Sequence, residues 1–186
     1  MVQRMLVLLA LLTLATAAGA AEVGGVKLED RASVGGQSLV LNGAGVRTRA
    51  IFKVYVGSLY LPAKASTLDA ALAKGPRRIQ LNLLRDLSGD QLADAVNDGM
   101  KESNSASDVD AVKAQTDQFI ALIKSMGPLK EGSVVTIDFA DGATKIGFNG
   151  ADKGAIPGEA FNRALTKIWI GDKPVQTDLR KAMLGG

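Results

Sequence analysis

The order of the periodic segments in this sequence most constrains its possible fold, because strand-like runs occur near both ends and helix-like runs occur between them. Near the start, residues 37–42 alternate between polar and apolar side chains and lead into the turn-forming residues 43–45. Residues 49–61 then form the longest run of β-branched and aromatic side chains. Near the end, residues 135–139 and 146–148 flank an Asp-Gly turn. This pattern predicts one hairpin early in the chain and one late.

Between the hairpins, apolar side chains recur at helical spacing. Residues 66–74 predict a short helix, and a half-buried strand follows at residues 79–83. Ser88 and Gln91 form a capping-box pattern at the start of a longer helix. A further helix is predicted from residue 107 to 126, and others follow Pro157 and Thr177. Trp169 lies on an apolar helical stripe, so we expect it in the core rather than against a ligand.

These segments together predict a single domain of the α+β class, in which helices cover one face of an antiparallel sheet. We see no internal repeat and no linker that would divide the chain.

The chain contains neither cysteine nor histidine. This excludes disulfides, thiolate nucleophiles, the usual zinc ligands and every Ser-His-Asp or Cys-His arrangement. We therefore expect no cofactor and no metal, and any chemistry must use carboxylates, Lys, Arg, Tyr, hydroxyls or the backbone. The 22 basic and 19 acidic residues nearly balance, so the charge does not predict a nucleic-acid partner.

The N-terminus has the three regions of a secretory signal peptide in order: Arg4, an apolar run from Met5 to Leu12, and small residues through Ala20. The apolar part is shorter than the ~20 residues that cross a bilayer. We predict cleavage after Ala20, which leaves a domain of residues 21–186 without a transmembrane anchor. A periplasmic location is expected.

Cationic side chains cluster at the start of the long predicted strand. If residues 47–61 form one continuous strand, one face carries a stripe of cations and a phenol that comprises Arg47, Arg49, Ile51, Lys53 and Tyr55. An Arg beside a Tyr hydroxyl suits a carboxylate or phenolate at the mouth of an apolar cavity. From spacing alone, the solvated face of a half-exposed sheet is the better interpretation. A single β-bulge would also reverse the faces.

The chain resembles the chalcone isomerase-like family, specifically its exported bacterial branch. The resemblance rests on residues 42–47, 52–61, 154–158 and 168–171, with the sequences NGAGVR, FKVYVGSLYL, GAIPG and IWIG. It implies an open-faced β-sandwich with an apolar cleft between the sheet and the helices. In plant members this cleft closes a chalcone into a flavanone, and in fatty-acid-binding members it holds an acyl chain. Both kinds use an Arg at the position that Arg47 matches.

The resemblance also nominates Tyr55 as the hydroxyl partner of Arg47, because a Lys-Val-Tyr segment occurs near the Arg of the acyl binders. The plant enzymes instead have Thr residues where this chain has Tyr55 and Ile168. The interval from Arg47 to the next strand is also about four residues shorter than in the plant enzymes, so a hairpin there is expected to be tightened or lost.

The leading hypothesis is a non-catalytic periplasmic binder of a small amphipathic anion, such as a fatty acid or another carboxylate or phenolic ligand. Its ligand-binding residues are expected to be Arg47 and Tyr55, with Arg49 and Lys53 as weaker candidates, and no catalytic residue is assigned. One alternative is an intramolecular lyase of the chalcone isomerase type, in which Arg47 orients an attacking phenolate. The other is a ligand-free interaction module with a filled core. The sequence does not indicate the oligomeric state.

Overall fold

A computed structural model describes residues 21–186; the predicted signal peptide, residues 1–20, lies outside the described residues. The strands are β1 Ala21–Val23, β2 Val26–Leu28, β3 Arg31–Val34, β4 Gln37–Arg49, β5 Phe52–Leu61, β6 Arg77–Leu83, β7 Val134–Ala140, β8 Ala143–Phe148 and β9 Ala151–Pro157. The helices are α1 Leu68–Ala71, α2 Gly89–Ser103, α3 Ala106–Ala111, α4 Lys113–Ser125, α5 Glu159–Ile170 and α6 Thr177–Met183. Among these residues, none of the helices has the length and hydrophobicity that a membrane-spanning helix requires.

The main sheet contains seven antiparallel strands in the order β3 to β9, so every strand pairs with its neighbour in the sequence. The helices α1 to α4 are inserted between neighbouring strands, and α5 and α6 follow the last strand. The prediction of an α+β fold with an antiparallel sheet packed against helices is confirmed. Because β1 and β2 form a separate two-stranded hairpin, the sheet itself begins only at β3.

Two apolar clusters lie on opposite faces of the sheet. The larger cluster packs the strands against the helices and includes Leu59, Leu81, Phe119 and Trp169. The smaller one lies on the other face, where side chains of β4 and β5 meet those of the β1–β2 hairpin. The alternation along β5 explains the division, since Leu59 points to the helices and Tyr60 to the opposite face.

The predicted early hairpin at residues 43–45 is wrong, because β4 continues through these glycines. Asn42 is instead a bulge at which the register against β5 shifts. Its amide donates to the carbonyls of Ala65 (2.9 Å) and Met183 (2.7 Å), and its Oδ1 accepts from Ala65 N (2.7 Å). The glycines are needed for a close approach, since a Cβ on Gly43 would lie 2.1 Å from the carbonyl oxygen of Ala182 in α6.

The predicted continuous strand from residue 47 to 61 is also wrong, because a two-residue turn at Ala50 and Ile51 divides it into β4 and β5. Ala50 adopts φ +53°, a conformation that non-glycine residues seldom use. The short interval therefore tightens this hairpin rather than removing it. Its consequence is a direct pairing of Arg47 with Tyr55 across the two strands.

The helical predictions are largely confirmed. Ser88 and Gln91 form the predicted capping box at the start of α2, and α6 spans nearly the predicted segment. The predicted helix from residue 107 to 126 is divided at Val112 into α3 and α4. The structure also adds strands that the sequence pattern did not indicate, namely β1, β2, β3 and β9.

Candidate functional site

A cavity of about 490 Å³ opens at one end of the helix-covered face of the sheet. Its walls come from the tip of the β4–β5 hairpin, the end of β6, and the helices α2 and α5. The side chains deep in the cavity are buried and mostly apolar: Leu81, Leu92, Val96, Ile168 and Trp169. Its volume lies in the range of ~300–1,000 Å³ typical of small-molecule sites.

Tyr55 places a hydroxyl group in this apolar wall. Only 8% of the residue is exposed, and its hydroxyl oxygen accepts a hydrogen bond from Trp169 Nε1 (2.9 Å). Because the indole nitrogen can only donate, the hydroxyl hydrogen of Tyr55 remains available for another acceptor. Burial raises the pKa of Tyr55, although the Trp169 hydrogen bond and the positive charge of Arg47 oppose this shift. The phenol is therefore protonated and can donate at neutral pH.

Arg47 lies beside Tyr55 in the same wall, since the two residues are cross-strand partners. Directly opposite residues in an antiparallel pair have Cβ atoms about 4.5–5.5 Å apart. One guanidinium nitrogen, Nη1, donates to the carbonyl oxygen of Thr48 and to Gln176 Oε1 (3.2 Å). Within residues 21–186, Nη1 makes the hydrogen bonds of this guanidinium to Thr48 and Gln176, and Arg47 is also close enough to the Tyr55 hydroxyl to lower its pKa. A guanidinium has five N–H donors, so others remain for a ligand.

Gln176 holds the end of β4 in place. Its Oε1 also accepts from Thr48 N (2.8 Å), and its Nε2 donates to the carbonyl oxygen of Val46 (3.1 Å). The side chain thus completes the hydrogen bonding of three consecutive residues around Arg47. Nothing in the sequence marks Gln176, because its role depends on the contact between β4 and the segment before α6.

Lys53 does not line the cavity, so the predicted stripe of cations is corrected. The register shifts between Arg47 and Thr48, and the extra residue, Val54, is on β5. This bulge changes the phase of the strand, so that Phe52 and Val54 line the cavity while Lys53 is exposed outside it. Ile51 is also outside the cavity. Arg47, Arg49 and Tyr55 are the members of the predicted stripe that line it.

The exposed rim of the cavity has a basic and an acidic side. Arg49 and Arg85 lie on the side of the hairpin, where the Arg85 guanidinium stands over the Phe52 ring at 4.9 Å from its centroid. Asp98 and Glu102 from α2 lie on the other side. The helical periodicity of α2 could have indicated these two carboxylates, but nothing in the sequence connects them to Arg85.

Trp169 is buried, as predicted, and it also forms part of the cavity wall. The ligand-free alternative requires a cleft that Phe119, Phe161 and Trp169 fill. Phe119 and Phe161 instead pack against each other within the core, with ring centroids 5.7 Å apart, and neither lines the cavity. No group of His, Asp or Glu side chains within the described residues could hold a metal ion. The arrangement is suited to hold an anion by its charge and by two or three N–H and O–H donors.

Comparison with known proteins agrees with this architecture. Residues 20–185 match the sequence profile of the family described as chalcone isomerase-like. The chain belongs to the chalcone isomerase-like family. This match spans nearly all of the predicted mature domain and confirms the family that the sequence motifs indicated. No curated protein sequence matches the chain.

Among solved structures, this chalcone isomerase-like chain is similar to a fatty-acid binding protein from Arabidopsis thaliana. The TM-score is 0.68 at 16% sequence identity, and the match covers 86% of this chain and 92% of the plant protein. At this identity the likeness establishes the shared fold.

Proposed function

We propose that this domain is a non-catalytic binder of a small amphipathic anion, such as a fatty acid, whose carboxylate binds Arg47 and Tyr55. The observation that carries the proposal is the orientation of hydrogen bonds around Tyr55. Trp169 donates to the hydroxyl oxygen, so the hydroxyl hydrogen is left to donate into the same cavity that Arg47 lines. One carboxylate can then accept hydrogen bonds from the Arg47 guanidinium and from the Tyr55 hydroxyl.

The energetics favour an amphipathic rather than a purely apolar ligand. Each methylene group that leaves water for the apolar wall contributes roughly 0.8 kcal/mol. A carboxylate that entered the same cavity without partners would lose its hydration, and a hydrogen bond to a charged group offsets this cost by roughly 1.5–3 kcal/mol. Arg47 supplies that partner next to the apolar wall. The fatty-acid binding protein that shares the fold supports the same ligand class.

An intramolecular lyase is the weaker candidate. Arg47 could polarise an attacking phenolate, and this requires no histidine or cysteine. The two positions that resemble the Thr sites of the plant enzymes are occupied by Tyr55 and Ile168, and both line the cavity. The cavity therefore lacks both threonine hydroxyls: Ile168 has no hydroxyl group, and the phenol of Tyr55, whose pKa is raised by burial, is a poor base at neutral pH.

The proposal includes export, since residues 1–20 have the composition of a signal peptide. A mature protein that begins at Ala21 and occurs in the periplasm is expected. Sequencing of the N-terminus of the purified protein tests this point separately from ligand binding.

Native mass spectrometry of the protein purified from its own host tests the function. We expect a co-purified species whose mass matches an amphipathic carboxylate or phenol and which the Arg47→Ala variant retains much less. Lys53→Ala is the matched control, because this cation is exposed outside the cavity. A ligand retained equally by wild type and Arg47→Ala would contradict the proposed anion site.

A further inference from the structure

The tip of the β4–β5 hairpin carries two adjacent apolar side chains that are exposed to water. Ile51 is 86% exposed and Phe52 is 54% exposed, and they are the large apolar side chains with such exposure within residues 21–186. Exposed apolar surface that is rimmed by polar residues is a feature of protein and membrane interaction sites. The tip also borders the cavity, since Phe52 and Arg49 line its mouth.

Three exposed cations surround these apolar side chains. Arg49 and Lys53 flank the turn in the sequence, and the Arg85 guanidinium lies over the Phe52 ring. None of the ion pairs found in residues 21–186 involves any of the three. The tip thus combines two exposed apolar side chains with three cations that form no ion pair within residues 21–186.

We propose that the hairpin tip docks on an anionic lipid surface, with Ile51 and Phe52 inserted between head groups and with Arg49, Lys53 and Arg85 against the phosphates. Side chains with an apolar body and adjacent cations favour the boundary between head groups and acyl chains. Basic residues near an anionic membrane surface add electrostatic attraction.

The same features argue against a protein as the occupant. Two side chains at a two-residue turn offer far less than the ~800 Å² per partner that a stable protein interface buries. A second copy docked tip to tip would also bring both sets of cations together, which opposes association. A lipid surface requires no complementary shape and supplies the opposite charge.

Docking in this orientation would turn the basic side of the cavity mouth, at Arg49 and Arg85, towards the lipid. An amphipathic ligand could then pass from the membrane to Arg47 without exposing its tail to bulk water. This consequence rests on the proposed function, whereas the docking itself does not. The two are therefore tested with different probes.

Flotation of the mature protein with vesicles tests the docking. Phosphatidylglycerol mixed with phosphatidylcholine is compared with phosphatidylcholine alone, in the absence of free fatty acid. We expect binding to the anionic vesicles that weakens as salt is added. Ile51→Ser should reduce binding by about fivefold or more, while Ile51→Leu, which keeps the apolar body, should retain it. Both substitutions lie at an exposed position, so thermal unfolding should be unchanged.

Lys53→Gln should also weaken vesicle binding by about threefold or more, because a charge near the surface is lost. Lys74→Gln is the matched control, since this exposed lysine lies just before β6, at the end of the sheet away from the cavity. The proposal would be overturned if Ile51→Ser bound the vesicles as well as wild type does, or if Lys53→Gln and Lys74→Gln lost equal amounts of binding. It would also be overturned if wild type did not bind anionic vesicles. A dimer in sedimentation that Ile51→Ser abolishes would overturn it in favour of a second copy.

The affinity of Ile51→Ser for a soluble carboxylate, measured without vesicles, separates the two proposals. Ile51 does not line the cavity, so we expect this affinity to match that of wild type. Loss of vesicle binding with retained carboxylate binding supports docking as a distinct property. Vesicle binding by wild type without any carboxylate binding would contradict the proposed function and leave docking intact.

Discussion

Two arginines on the same helix-covered face of the sheet have contrasting surroundings. Arg77, at the start of β6, is 2% exposed, donates from Nε to Asn162 Oδ1 (2.7 Å) and stacks over the Phe139 ring at 4.4 Å. Arg47, at the cavity, is half-buried and borders about 490 Å³ of open space. The protein itself surrounds the first guanidinium, whereas the second has space for a ligand.

The chemistry of Arg77 shows what a closed environment does to such a group. Burial and the nearby Arg163 lower the pKa of Arg77 to about 10, against the influence of Glu159. Its Nη2 is buried and makes no hydrogen bond within residues 21–186. Asn162 in turn donates to Thr144 Oγ1 (3.1 Å), so a polar chain links α5 to β8. The difference teaches that burial of a cation alone does not indicate a binding site; adjacent free volume does.

The largest expected effect of this contrast is on stability. Arg77→Ala should lower the free energy of unfolding by about 3 kcal/mol, because it removes buried volume and the Asn162 hydrogen bond. Arg77→Met should cost less, since it keeps most of the apolar packing without the buried charge. Carboxylate affinity should be unchanged in both. Denaturant unfolding and a binding titration check this, and a large loss of affinity in a folded Arg77→Met protein would break the distinction.

Arg47→Ala should show the opposite pattern. We expect carboxylate binding to weaken by about 1.5–3 kcal/mol, which is roughly a 10- to 150-fold change in affinity, with little effect on stability. Lys53→Ala, whose ammonium is exposed, should change affinity much less. Calorimetry on delipidated protein makes the comparison. Similar losses in the two variants would show that general surface charge, rather than the site, attracts the ligand.

Tyr55→Phe should weaken carboxylate binding by about 1 kcal/mol, because one hydrogen-bond donor to the ligand is lost. It also leaves the Trp169 N–H without its acceptor, which should lower stability by about 1–2 kcal/mol. Tyr60→Phe is the control, since Tyr60 lies in the cluster on the opposite face of the sheet. An equal loss of affinity in both variants would argue against a specific role of the Tyr55 hydroxyl.

The smallest effect concerns alkaline pH. Burial raises the pKa of both tyrosines in the chain, Tyr55 and Tyr60. Above pH ~10 the unfolded chain loses tyrosine protons that the native protein keeps, so these two groups make stability fall as pH rises through that range. Absorbance of tyrosinate should therefore develop at higher pH in the native than in the unfolded protein. Bound carboxylate should delay the Tyr55 signal further, and a delay that persists in Tyr55→Phe would contradict this assignment.

Much of the fold followed from local chemistry. The capping box at Ser88 and the turn at Asp141 and Gly142 are encoded by neighbouring residues and formed where predicted. Asp141 and Gly142 both adopt positive φ in this turn. The turn at Ala50 and Ile51 lacks the glycine or asparagine that a tight hairpin usually has, so no local signal identified it. Because that turn and the adjacent bulge were not foreseen, Lys53 was placed on the same face as Tyr55, whereas it lies outside the cavity.

The site was predictable only in part. The stripe and the family resemblance led to Arg47 and Tyr55, which the structure places side by side in the cavity wall. Their partners were not predictable, because Trp169 and Gln176 come from α5 and the segment after it, more than one hundred residues away. Such contacts depend on how the helices pack on the sheet rather than on any local pattern.

The central claim is that Arg47 recognises the charge of the ligand. The most direct test measures the affinities of wild type and Arg47→Ala for a long-chain carboxylate and for the alcohol of the same chain length. Fluorescence of Trp169, the single tryptophan of the chain, is the signal. The account predicts that wild type prefers the carboxylate by about tenfold or more and that Arg47→Ala loses this preference while it binds the alcohol as wild type does. An equal preference for the carboxylate in both proteins would contradict it.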